Sequence, residues 1–207
     1  MKPNQLGNAA LWTAAALLAV GVAGCRVHVD KNAQGHEKKV QVDTPFGGVH
    51  VNTDQTSAAD LGLPAYPGAL ALKDDDHSSA DVHVGFGEWQ LRARVASFET
   101  PDAQQKVVDF YRQALGRYGE VLTCQNDKPI GQPTITSQGL TCASDGKNIN
   151  ISTKSGKSSL DHGSDLQLRA GSKRHQHLVG FEKPKNGRTE FVMVAVDLPG
   201  SGSDKKD

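Results

Sequence analysis

His175 and His177 have the spacing in this chain best suited to metal chemistry. They stand two apart in Lys173-Arg174-His175-Gln176-His177, a stretch that reads as a strand, so both imidazoles leave on one face. Neutral imidazoles placed this way can share a zinc or copper ion, and His77, His83 or Asp81 could complete the ligand set. The plainer alternative is an exposed, basic strand face. Arg92 and Arg94 also share one side of a strand, where they either bind an anion or form the solvated side of a sheet. Asp74-Asp75-Asp76 lacks the alternating acids, central glycine and distant glutamate of a helix-loop-helix calcium site, and reads as a solvated turn. Gly85-Phe86-Gly87 lacks the third glycine of a nucleotide fingerprint, and Gly163-Ser164-Asp165 does not form a Gly-x-Ser-x-Gly elbow. No catalytic motif emerges, and the expectation is a protein that is not an enzyme.

The cysteines carry a clearer message. Lys2 precedes an apolar run from Ala9 to Ala23, and small residues lead into Val22-Ala23-Gly24-Cys25. This order reads as a secretory signal. The run is broken by Thr13 and stops at Arg26, short of the roughly 20 residues a bilayer-crossing helix needs. A conventional signal cut after Gly21-Val22-Ala23 is the competing reading. With its cysteine at the cut, the segment resembles a bacterial lipoprotein signal. That resemblance implies removal of residues 1–24, a diacylglyceryl group on the Cys25 sulfur and an acyl chain such as palmitate on its amine. Each buried methylene contributes about 0.8 kcal/mol, so two or three chains anchor durably where one would be marginal. Arg26 stands where an aspartate often marks inner-membrane retention in such proteins, which points to the outer membrane, facing the periplasm.

Assigning Cys25 to lipid leaves Cys124 and Cys142, which can pair in the oxidising space outside the cytoplasm. Two buried thiols or a redox pair are the alternatives, although a redox pair normally sits in a Cys-x-x-Cys turn. Lysine plus arginine equal aspartate plus glutamate at 23 each, so the chain as a whole does not attract nucleic acid or anionic lipid. With aromatic residues at only 5% and 22 glycines, the expected core is modest, built mainly of Val, Leu and Ala, with many turns.

Three short alternating segments, Val27-His28-Val29, Val40-Gln41-Val42 and Val49-His50-Val51, read as strands of a small β-meander or an extended tether over residues 25–60. The main domain is expected over 61–199. There a long strand signal runs through Val82, Val84 and Phe86, bends at Gly85 and Gly87, and resumes at Leu91, Ala93 and Val95. The clearest helix follows, with Thr100 as cap and Pro101 at its first position. Val107, Val108, Tyr111, Leu115 and Tyr118 form its apolar stripe, and Gly116 or Gly119 ends it. Further strands are expected at Glu120–Cys124, Gly139–Cys142, Ile149–Ser152, Leu166–Leu168, Arg174–Phe181 and Thr189–Leu198, with Asn186-Gly187 as a hairpin turn and 200–207 as a disordered tail. One helix among hairpin-linked strands indicates an α+β fold with an antiparallel sheet.

Tyr66-Pro67-Gly68-Ala69, Ser97-Phe98-Glu99-Thr100-Pro101-Asp102 and Val107-Val108-Asp109-Phe110-Tyr111 with Leu115 together resemble a loose group of uncharacterised secreted and lipid-anchored bacterial proteins. In that group a proline turn leads to a strand and then to a helix carrying a Phe-Tyr pair. The resemblance covers roughly residues 61–123. It implies a fold and brings no activity with it. The reading from sequence is therefore a lipid-anchored envelope module that binds or scaffolds another envelope component, with a metal-binding module on His175 and His177 as the alternative.

Overall fold

A computed structural model describes residues 25–31, 37–53, 56–72, 79–142, 166–184 and 186–199. The signal segment 1–24, the Asp74–Asp76 run with His77, the Ile149–Ser152 strand, Gly163-Ser164-Asp165 and the tail 200–207 lie outside the described residues.

The strands are β1 (Arg26–Lys31), β2 (Glu37–Thr44), β3 (Gly47–Thr53), β4 (Leu70–Ala71), β5 (Ser79–Phe86), β6 (Trp89–Thr100), β7 (Leu122–Gln125), β8 (Lys128–Pro129), β9 (Leu166–Gly171), β10 (His175–Phe181) and β11 (Thr189–Asp197). They form one sheet in the order β1-β2-β3-β5-β6-β11-β10-β9-β7-β8, with β4 added beside β6, and every pairing is antiparallel. Among the described residues there is one α-helix, α1 (Gln104–Leu115), which continues into a 3-10 turn at Gly116–Tyr118. The fold is thus an antiparallel sheet with one helix, an α+β arrangement dominated by its sheet. The first three strands extend the same sheet, because β3 pairs with β5 from Gly47–Phe86 through Thr53–Ala80.

The helix lies against one face. Val107, Val108, Tyr111 and Leu115 are buried, as the apolar stripe requires, and meet Leu168, Ala170, Val179, Phe181, Phe191 and Met193 from the sheet. Burying each large side chain of this kind contributes about 1.5–3 kcal/mol. Leu61, Leu63 and Tyr66 close one side of this core, and the Tyr66 hydroxyl donates to Asp102 at 2.7 Å. Burial, reinforced by that hydrogen bond, pushes the Tyr66 hydroxyl up to about 12. By number the core is mostly Val, Leu and Ala, but its largest fully buried side chains are Tyr111, Phe181 and Phe191.

Three local expectations need correction. Thr100 does not cap the helix. It pairs with Thr189 as the last residue of β6, so the helix starts only at Gln104 and Pro101 precedes it. The long strand is not merely bent at Gly87. It folds back there as a two-residue hairpin, with Phe86 opposite Trp89 and Gly87 at positive φ in the first turn position. The segment Gly139–Cys142 is not a strand, and its ladder is reduced to one bridge between Ile135 and Thr141.

On the face opposite the helix, Leu122, Cys124, Leu140 and Cys142 make a second, smaller core. Cys124 and Cys142 are joined as a disulfide, with Cα atoms 5.6 Å apart. Among the described residues, no helix is long and apolar enough to cross a membrane.

Candidate functional site

Four short segments place a polar residue between two aliphatic ones: Val27-His28-Val29, Val40-Gln41-Val42, Val49-His50-Val51 and Val82-His83-Val84. Strand alternation turns the valines to one face and the polar residue to the other. Register then aligns the polar residues across the sheet. His28 pairs with Gln41, Gln41 with His50, His50 with His83, His83 with Arg92, Arg92 with Asp197 and Asp197 with His175. The result is one polar row crossing β1, β2, β3, β5, β6, β11 and β10, on the same face as α1 but beyond the part that α1 covers.

A second row lies one step nearer the helix. It pairs Lys39 with Asn52, Asn52 with Asp81, Asp81 with Arg94, and carries His177 opposite Ala195. Between the rows is an open trough of about 650 Å³, lined by Lys39, Gln41, His50, Asn52, Asp81, His83, Gln90, Arg92 and Asp197. Its lining mixes amides, imidazoles and charged groups, with Gln41 Nε2 donating to Asp43 at 2.6 Å and His50 Nε2 3.4 Å from the same carboxylate, so it suits a polar ligand held by several hydrogen bonds.

The arginines of this face are engaged by carboxylates. Arg92 donates from Nε to Asp81 at 3.0 Å and from Nη2 at 2.5 Å. Arg94 donates to Asp197 at 2.9 Å and to the carbonyl of Asp60. Asp197 also meets His175 Nδ1 at 3.0 Å. Burial works against the Asp197 charge, but His175 and Arg94 outweigh it and lower its pKa. Neither arginine presents a bare guanidinium to an anion here.

The structure places His83, His175 and His177, three of the four expected metal-site histidines, in different surroundings. His77 lies outside the described residues. His83 faces His50, with ring centroids 6.2 Å apart, and is separated from His175 by β6 and β11, about 14 Å at ordinary strand spacing. His175 is held by Asp197, and His177 Nδ1 contacts the Leu61 carbonyl at 3.1 Å while its ring stacks on Tyr118 at 3.6 Å. No three His, Cys, Asp or Glu side chains among the described residues converge to hold a metal. His175 and His177 share a face, as expected, but each is turned to its own partner. His28, Gln41 and His50 were not anticipated as part of a site, although the recurrence of a polar residue between valines was visible in the sequence.

Gly171 helps to position His175. Its φ of +106° turns β9 into β10, and a Cβ there would collide with the His175 carbonyl oxygen. The turn closes with Ser172 N–H donating to that oxygen at 2.9 Å.

His177 gives this face a pH dependence. Burial lowers its pKa below the ordinary 6.5, opposed by the Leu61 carbonyl and Asp197 and aided by Arg94 and His175. The unfolded chain takes up this proton more readily than the folded one. The stabilisation is therefore complete above pH 6.5 and is lost as pH falls through the lower folded value. His177→Gln, which does not titrate, is expected to unfold in urea with a shallower stability slope than wild type between about pH 7 and pH 5. Equal slopes would remove His177 as the source.

Comparison with known proteins adds no identity: no family model, no curated protein and no solved structure matches this chain.

Proposed function

We propose that this chain is a lipid-anchored protein of the bacterial cell envelope, held at the outer membrane through acylated Cys25 and facing the periplasm. Its role is to bind or scaffold a polar component of the envelope rather than to catalyse a reaction, and the trough on its polar row is the binding surface. The observation that carries the anchor is the order of residues 1–25, a charged start, an apolar run and small residues ending at Cys25. Cys25 is free and exposed immediately before β1, where an acyl group meets no packed neighbour. The disulfide between Cys124 and Cys142 fits an oxidising compartment. The amide- and imidazole-rich lining supports a binding role.

The test is intact mass and detergent partitioning of wild type against Cys25→Ala. Wild type is expected to carry acyl mass and enter the detergent phase, while Cys25→Ala stays in the aqueous phase. With two or more acyl chains buried at about 0.8 kcal/mol per methylene, partitioning should differ by more than about 100-fold. A Cys25→Ala protein that remains with the membrane would sink the anchor.

A further inference from the structure

Three aromatic side chains project from one end of the sheet and take no part in the core or the trough. Phe46 is 84% exposed, Phe86 49% and Trp89 43%. Phe46 sits in the β2–β3 turn, and Phe86 and Trp89 flank the β5–β6 turn with ring centroids 6.1 Å apart. Register joins these turns in one row: Thr44 pairs with Gly47, Gly47 with Phe86 and Phe86 with Trp89. Cys25 begins the same row, because it precedes the Arg26–Asp43 pair by one residue. Four strand spacings, about 19 Å, separate Cys25 from Trp89.

Alternation adds a second coincidence. Continued one residue back from β1, it places Cys25 on the same face as Phe86 and Trp89, in line with Val27, Val84 and Leu91 of the next row. Val27 is itself 66% exposed. Trp89 lies three residues outside Arg92, the last β6 residue paired with β11, so this fringe projects about 10 Å past that strand end. An exposed apolar fringe of this kind marks a contact surface, and aromatic rings favour the headgroup level of a bilayer. Arg26 against Asp43 and Glu88 leaves one net negative charge, so attraction to anionic lipid is not what would hold it.

We propose that the Phe46, Phe86 and Trp89 fringe docks into the surface of the bilayer that holds the Cys25 acyl chains. The sheet then stands on the membrane by its β2–β3 and β5–β6 turns. The proposal rests on the lipid-anchor reading of Cys25, which brings a bilayer within reach of this edge. It also sets the height of the trough: Gln41, His50, His83 and Arg92 lie three residues inside the fringe, about 10 Å above the headgroups. A ligand in the trough would sit directly over the membrane surface.

Trp12 and Trp89 are the only tryptophans, so the full chain carrying Trp12→Phe reports on Trp89 alone. This protein, purified from a bacterial host, is placed in phosphatidylethanolamine vesicles whose acyl chains are brominated near the glycerol end. Bromination is expected to cut Trp89 emission by about twofold, with little change on adding salt, and Phe46→Ser should weaken the quenching. Intact mass on the same samples reads acylation of Cys25 independently. Acylated protein with unquenched Trp89 overturns the fringe proposal and leaves the anchor standing. Quenched Trp89 on protein without acyl mass supports the fringe and removes the anchor. Unquenched Trp89 without acyl mass removes both. Unquenched Trp89 that crosslinks to another protein in cells assigns the fringe to a protein partner and overturns the bilayer.

Discussion

Phe191→Ala is expected to lower the free energy of unfolding by about 4 kcal/mol. Phe191 lies in the middle of the sheet on β11, between Phe98 of β6 and Phe181 of β10, and is 1% exposed. Its ring stacks on Phe98 at 5.6 Å and meets Tyr111 of the helix at 5.4 Å, Phe181 at 6.4 Å and Tyr66 at 6.5 Å. Three strands, the helix and the segment before β4 therefore share one ring. Removing it leaves a cavity that rigid strands on both sides cannot collapse to fill. A domain of this size is stable by only about 5–15 kcal/mol, so the variant would stand near the edge of folding. Phe46→Ala is the natural control, because an exposed turn residue should change stability by less than about 0.5 kcal/mol. Urea unfolding of both variants decides the matter. A loss below about 1 kcal/mol for Phe191→Ala would mean that the helix does not depend on this ring.

Loss of the Cys124–Cys142 disulfide is expected to cost about 3 kcal/mol. The bond closes a loop of sequence separation 18, and in the chain-entropy model a loop of that length supplies about this much by restricting the unfolded chain. The apolar cluster around the bond is small, Leu122 and Leu140 beside the two sulfurs, so little else within it compensates. Polar ties do remain. Arg169 donates to Gln167 at 2.7 Å and reaches Asp127 at 3.4 Å, although burial lowers its pKa. Cys124→Ser with Cys142→Ser, or wild type in reductant, should therefore lower the urea midpoint, and amide exchange should rise first at β7 and the Thr136–Leu140 turn. Identical midpoints with and without reductant would contradict this.

Elements whose signal is local could be read from the sequence. The stripe Val107, Val108, Tyr111 and Leu115 is buried because its spacing matches a helix, whatever that helix packs on. Asn186 and Gly187, both at positive φ, form the turn between β10 and β11, since few other residue pairs accept that backbone. Thr100 and Pro101 are good capping residues locally, and on that signal alone the helix would start too early. Pairing with Thr189 on β11 keeps Thr100 in the sheet, and no sequence window contains that partner. Likewise, glycine permits a bend or a reversal at residue 87, and it is the pairing of β5 with β6 that makes it a reversal.

The candidate site divides in the same way. His175 and His177 share a face by alternation alone. Their separation from His83, and their capture by Asp197 and the Leu61 carbonyl, follow from strand order. The polar trough was present in the sequence as four Val-x-Val-type segments, but register decides whether His28, Gln41, His50 and His83 form a row or are scattered. A slip of one residue in any pairing would send that strand's polar side chain to the opposite face.

From the sequence alone come the order of charged start, apolar run and small residues ending in Cys25, the pairing expected of Cys124 with Cys142, and the helix that covers the core. Each rests on spacing along the chain. The tertiary structure decides that the first three strands extend the main sheet, that their histidines align with Arg92 and Asp197, and that Phe86, Trp89 and the turn carrying Phe46 lie in one row with Cys25. These relations join residues far apart along the chain, and only hydrogen-bonded register between strands brings them side by side.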